Sequence, residues 1–441
     1  MPLKSYANIF EGNALKVDWD NLAHGVNFIM GNPPFVGRRY RTREQVADIA
    51  KFFSYKDVDY VACWYKKAAD FIHGTRIESA FVSTNSITQG EQVAAVFENL
   101  PIEVNFAHKT FIWDSESNLK AHVHYVIIGF ANFARPQKFI FDGNKKILAH
   151  NINFYLNDAP NFFIHSRNKP LRDDTPQMVR GNCPIDSGFL ILSPAERNEL
   201  LKKYPTAEKF IRPFVGAEEF LHGKKRYCLW LVNSNPADIK KIPPIYERVK
   251  NVRDFRLKSK RDATKKFADI PHLFAEIHQP QISYILVPRV SSENRRYIPM
   301  DFLPPEIIPS DANLIVPDAT IYHFGILISS VHMAWTRAVC GRLESRYSYS
   351  AQIVYNNFPF CDANSQQVAE IEITAQNILD TLKKYPDSTL SELYDDVLMP
   401  KILREAHKEN DKAVLAAYGF SFDITEPEIV SELMRLYEFG I

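Results

Sequence analysis

The chain has 441 residues, 46% apolar and 24% charged, with a formal net charge of +1, the composition of a soluble globular protein with room for two or three domains. No run of about 18 apolar residues suggests a membrane span, and Met1-Pro2-Leu3-Lys4 opens no apolar signal region. Five scattered cysteines (Cys63, Cys183, Cys228, Cys340 and Cys361) form no CxxC pair, which argues against structural zinc and for a reducing, cytoplasmic setting.

In chain order, Ile9 to Leu15 reads as a strand end and a turn, with Asn13 as its polar residue. Val26-Asn27-Phe28-Ile29-Met30 is short and apolar, which predicts a buried parallel strand. Gly31-Asn32-Pro33-Pro34-Phe35 follows. Its two prolines stop any strand or helix, and Pro34 restricts the residue before it to extended geometry. An amide and an aromatic ring are thus expected at the carboxyl end of a central strand, where open α/β sheets place their ligands. Arg38 and Arg39 then open a basic stretch, either a solvated loop or a set of phosphate contacts. From Val58 to His73 the apolar residues recur at helical spacing, and Trp64 and Tyr65 are expected in the core. A strand at 79–83, a helix at 91–100, and strands at 102–107 and 123–130 complete an α/β pattern whose last strand is antiparallel. His108, His122 and His124 match no metal-site spacing, so no metal is expected.

Past residue 131 the pattern changes. Asn151 to Pro170, rich in Asn, Phe and Pro, reads as a connecting region. From about 180 to 365 short elements punctuated by proline predict a mixed α+β domain. It holds a basic concentration (Arg253, Arg256, Lys258, Lys260, Arg261, Lys265, Lys266), either a solvated charged helix or a face that tracks phosphates. Residues 288–297, with Arg289, Arg295 and Arg296, and 342–350, with Arg342 and Arg346, each gather arginines, hydroxyls and a carboxylate. Such clusters either pair internally or meet base edges and phosphates. The tail is mostly helical from about Gln366, with a second helix over Ala406–Tyr418 stopped by Gly419.

The chemistry that suits Asn32-Pro33-Pro34-Phe35 is the holding of an exocyclic amine. An adenine amino group needs acceptors in the plane of the base. The Asn32 side-chain oxygen and a proline carbonyl supply them, and proline brings no competing N–H. Phe35 offers a face for a flipped-out base, a contact typically worth about 1–3 kcal/mol. This resembles the (N/D/S)PP(Y/F) motif of amino-methyltransferases; a proline turn after a strand is the plainer reading.

The wider series GNPPFVGRRY (31–40), DYVACWYKKAADF (59–71), AFVSTNSITQGEQV (80–93), HVHYVIIGF (122–130), RVSSENRRYIP (289–299), GRLESRYSYS (341–350) and NNFPF (356–360) resembles MmeI-type enzymes, the type IIG or IIL restriction–modification proteins. That resemblance covers nearly the whole chain. It implies an α/β fold class: an incomplete class I (Rossmann-like) methyltransferase sheet in residues 1–150, an α+β DNA target recognition domain in 151–365, and a helical module in 366–441. It also implies that Asn32, Pro33, Pro34 and Phe35 hold and flip a target adenine. Asn13 would help to seat S-adenosylmethionine, and Arg38, Arg39, Arg295, Arg296, Arg342 and Arg346 would lie near double-stranded DNA.

One departure shapes the functional expectation. Only twelve residues precede Asn13, so the family's glycine-rich donor loop, its ribose-binding acid and its nuclease are not expected here. The chain is therefore read as the carboxyl part of a site-specific adenine-N6 DNA methyltransferase. An upstream polypeptide would carry the missing parts. The alternatives are a DNA-binding specificity module or truncated remnant without catalysis and, less in keeping with the recognition-like half, an RNA or protein methyltransferase.

Overall fold

The computed structural model describes residues 9–22, 25–55, 57–112 and 124–439. These divide into two compact units, one built from the chain up to Ser166 with Arg337–Ser345 and Thr425–Phe439, the other from Arg167–Thr336 with Arg346–Ile424.

The first unit is organised on a sheet of six strands among the described residues: β1 (Phe28–Gly31), β2 (Glu78–Thr84), β3 (Glu103–Ile112), β4 (His124–Ala131), β5 (Lys138–Asp142) and β6 (Lys145–Ala149), in spatial order β1-β2-β4-β3-β5-β6. β1 runs parallel to β2, with Gly31 opposite Phe81. β4 inserts between β2 and β3 and is antiparallel to both, as the two closely spaced strands at the end of the α/β pattern predict. It is the apolar centre of the sheet, with Val126, Ile128, Phe130 and Ala131 buried.

Helix α1 (Arg43–Phe52) starts at a reciprocal cap between Thr42 and Gln45. Helices α2 (Ala62–Phe71) and α3 (Glu91–Phe97) follow. Tyr65 of α2 is fully buried and meets Phe81, Phe97 and Phe130 with ring centroids 5.3–5.4 Å apart, while its hydroxyl pairs with Ser83 Oγ at 2.8 Å. This single side chain joins α2, α3, β2 and β4, and it carries the core role expected of the aromatics in this helix.

Two expectations are corrected here. β1 is parallel but neither buried nor central: its one strand partner among the described residues is β2, and Phe28 and Met30 are 63% and 81% exposed. A short apolar run fits a strand with a covered face and an edge strand equally well, so composition alone does not decide. The region from Asn151, expected as a connection, packs into the first unit up to residue 166. Ile152, Phe154, Tyr155, Phe162 and Ile164 are buried, and Phe154 stacks on Phe97 at 4.5 Å. The hairpin β5–β6 that precedes it turns at Gly143-Asn144, where Gly143 takes φ +56°.

The second unit has the expected mixed α+β character. One four-stranded sheet joins Ile308–Pro309, Ile211–Val215, Tyr227–Leu229 and Ile191–Leu192; another joins Asp301–Leu303, Tyr284–Pro288, Asn313–Val316 and Val179–Arg180. The tail forms helices Ser365–Leu382 and Lys401–Ala417, and Gly419 stops the latter at φ +71°. Gly181 follows the strand Val179–Arg180 where the chain passes against Ser310. A Cβ there would stand 2.2 Å from the Ser310 carbonyl oxygen. Gly181→Ala is therefore expected to lower stability by about 1–3 kcal/mol, seen as a lower denaturant midpoint; an unchanged midpoint would show that the backbone yields.

Candidate active site

The stretch after β1 borders a cavity of about 590 Å³ lined by Gly12, Asn13, Ala14 and Trp19 on one side, and by Ile29 to Pro34 with Gln45, Tyr60, Trp64 and Phe81 on the others. Asn13 and the Asn32-Pro33-Pro34 stretch, read separately from the sequence, thus share one cavity. Pro33 is buried while the Asn32 side chain is exposed, and no described residue donates to Asn32 Oδ1 or to the Pro33 carbonyl oxygen. Both acceptors are open to an incoming donor. Phe35 lies beyond this lining and packs against Tyr125 of β4, ring centroids 5.4 Å apart and tilted by 55°.

Asn13 is held firmly. Its Oδ1 accepts from Leu15 N at 3.0 Å, and its Nδ2 donates to Asp48 Oδ2 at 3.3 Å. Asp48 is only 2% exposed and also accepts from the Tyr60 hydroxyl at 3.1 Å. Burial and the adjoining Asp48 carboxylate raise the Tyr60 phenol. The segment after Asn13 is fastened by Lys67 of α2. Its ammonium donates to the carbonyls of Ala14 at 2.8 Å, Leu15 at 3.1 Å and Val17, and it lies 5.0 Å from the Trp19 ring. Burial lowers the Lys67 pKa. Trp19 adds a bond from Nε1 to the Ala14 carbonyl at 3.0 Å.

Asp48, Tyr60, Lys67, Trp19 and Gln45 were not singled out by sequence reasoning. The Thr42-x-x-Gln45 cap was the available signal for α1, which carries Asp48. Trp64, expected in the core, lines the cavity instead, while its neighbour Tyr65 faces the sheet. Adjacent helical positions point about 100° apart, so the two cannot share a face.

The arginines have mixed fates. Arg38 pairs with Asp57 at 2.9 Å on the surface, and Arg39 is exposed. Arg41, between them and α1, is buried and donates to the Val58 carbonyl at 2.6 Å. Arg295 is half-buried and donates to Ser391 Oγ at 2.9 Å and Ser291 Oγ at 3.4 Å. Arg296 lies over the Tyr297 ring at 5.8 Å. Arg342 donates to the carbonyls of Arg337 and Ser345, and Arg346 is exposed on the strand Arg346–Ser348. Arg256, one of the basic concentration, is fully buried. All five of its N–H donors go to carbonyls, those of Pro184, Ile185, Phe267, Ile270 and Leu273. It is a structural strut and leaves the phosphate-facing set.

Among the described residues, no group of three or more His, Cys, Asp or Glu side chains could hold a metal ion, and no helix is long and apolar enough to cross a membrane. His108 stacks on Phe141 at 4.4 Å, and His122 lies outside the described residues.

Three domain profiles of one family match the chain: the MmeI DNA-methyltransferase domain over residues 1–142, the MmeI target recognition domain over 158–362, and the MmeI C-terminal domain over 363–439. The chain belongs to the MmeI family. The structure of the type IIL restriction-modification enzyme MmeI in complex with DNA superposes with a TM-score of 0.92 at 41% identity, covering 100% of this chain and 61% of that one. DNA methyltransferase A of Bacillus subtilis (strain 168) is 37% identical over 450 residues, which is 99% of this chain and 51% of the relative. The chain thus spans between about half and three fifths of the length of these relatives.

Lys67→Met is expected to free the turn after Asn13, read as faster amide exchange at Leu15, Lys16 and Val17 with β2 and β4 unchanged. Equal protection in the variant would show that the turn is held without the ammonium.

Proposed function

We propose that this chain carries the amine-binding half of the active site and the recognition part of an adenine-N6 DNA methyltransferase of the restriction–modification type. The observation that carries the proposal is the pair of open acceptors, Asn32 Oδ1 and the Pro33 carbonyl, at the end of β1 and on the cavity that also holds Asn13. In the reaction, the amine of an extruded adenine donates its two N–H groups to these acceptors. That fixes the nitrogen and turns its lone pair out of the base plane. Phe35, beside Tyr125, supplies an aromatic surface for the base.

The cavity suits one end of S-adenosylmethionine. Trp19, Tyr60 and Trp64 offer rings for its adenine, and Asn13, immobilised by Asp48, offers an amide at the edge. When bound, S-adenosylmethionine supplies an activated methyl group. Among the described residues that line the cavity there is no carboxylate, so the ribose hydroxyls need an acid from elsewhere. β1 supports the same reading. Its apolar side chains Phe28 and Met30 lie exposed on an edge strand, which suits an added parallel strand from a further segment, on this or a separate polypeptide. The absence of a lining carboxylate also favours the second reading, a specificity module that binds double-stranded DNA and transfers nothing alone.

In an enzyme reconstituted with a polypeptide carrying the donor loop, Asn32→Ala is expected to reduce methyl transfer at least 100-fold while DNA affinity stays within about twofold. Parallel loss of DNA binding would remove Asn32 from the proposed role. For recognition, Arg346→Glu is expected to change the ranking of DNA sequences in a binding selection. A uniform loss across all sequences would make Arg346 a phosphate contact.

A further inference from the structure

A second cavity, of about 740 Å³, lies within the unit that holds the recognition sheets and the tail helices, and it shares no residue with the Asn32 site. Its walls come from both sides of the boundary between the 158–362 and 363–439 family matches. Its volume is that of an ordinary small-molecule site. Phe302, Leu379, Leu382 and Leu393 give it an apolar floor.

Its polar groups are unbalanced. Asp301 and Glu372 both line the cavity. Asp301 Oδ1 accepts from the Phe302 backbone N–H at 2.8 Å; no described residue donates to its Oδ2, and none pairs with Glu372. Lys383, also on the wall, gives its ammonium to Asp380 at 2.9 Å, and Gln376 donates to the same Asp380 oxygen. Burial raises the Asp301 carboxyl to about 6, opposed by the Phe302 N–H and by Lys383 acting from a distance. A half-buried carboxylate of this kind is stabilised by any cation that reaches it.

Two carboxylates over a leucine floor select a ligand with two positive ends and an apolar middle. A metal ion would leave the floor unused, and an anion would be repelled. We propose that this cavity binds an aliphatic di- or polyamine, one ammonium on Asp301, a second on Glu372, and the methylene chain along the leucines. The occupant would tie the strand Asp301–Leu303 to the helix Ser365–Leu382. This proposal is independent of the methyltransferase reading, because no residue of the Asn32 cavity takes part.

The test is calorimetric titration of the full chain, free of DNA, with spermidine as the probe. Saturable one-site binding is expected. Asp301→Asn and Glu372→Gln are each expected to weaken it by about tenfold, and Leu390→Trp, which fills the cavity, to abolish it. Glu409→Gln, an exposed helix position outside the cavity, is expected to change nothing. A thermal melt of each variant verifies folding, and Glu372→Gln keeps the test decisive should Asp301→Asn unfold. Absence of saturable binding by the folded wild-type chain would overturn the proposal. So would binding that all the cavity variants retain, or that Glu409→Gln weakens as much as they do, because either pattern marks diffuse attraction to acidic surface.

Discussion

Two adjacent prolines set the arrangement on which the proposed site depends. β1 is in register with β2 up to Gly31, opposite Phe81, and Pro33 and Pro34 then have no N–H with which to continue a ladder. The chain must leave the sheet in extended geometry, and the Pro33 carbonyl is left without a backbone partner. Asn32 sits at the point of departure with its amide free. The opposite wall needs a different device, because the turn at 13–19 has no sheet to hold it. There the Lys67 ammonium binds the carbonyl oxygens of Ala14, Leu15 and Val17, and Asp48 holds the Asn13 amide. One wall is kept open by missing donors, and the other is kept rigid by a surplus of them.

The basic residues show how far sequence charge differs from surface charge. A guanidinium has five donors and is costly to bury unless all are met. Arg256 meets all five with carbonyls, and Arg41 and Arg295 are drawn partly into the protein as well. Arg256 serves as a many-armed bracket between carbonyl-bearing loops, whereas Arg41 meets the Val58 carbonyl and Arg295 meets two serine hydroxyls. Arg39 and Arg346 remain exposed.

Much of the fold was legible because it follows local rules. The strands at β2, β3 and β4, the α2 and α3 helices, and the tail helix stopped by Gly419 all follow from apolar spacing and backbone preference. Asn13 and Asn32 stood out as polar residues at a turn and beside two prolines, and they line one cavity, although Asn13 also makes the ordinary turn contact to Leu15 N. The remaining wall was not. Asp48 acts through a helix announced only by the Thr42–Gln45 cap, and Lys67 looks like any surface lysine until the turn at 13–19 is placed beneath it. Trp64 and Tyr65 have the same apolar character, and only the helix position separates a cavity wall from a core. The edge position of β1 depends on which strands pair with it, and no property of the strand itself encodes that.

Under the proposed function, the acceptors for the adenine amine are assembled in this chain, while the donor site needs a further segment. The most direct measurement is transfer of labelled methyl from S-adenosylmethionine to unmethylated DNA, by the purified chain alone and with a polypeptide carrying the glycine-rich loop. No incorporation is expected from the folded, DNA-binding chain alone, and incorporation at adenine is expected once the second polypeptide is added. Incorporation by the chain alone would contradict this, since a complete donor site would then exist without the added segment.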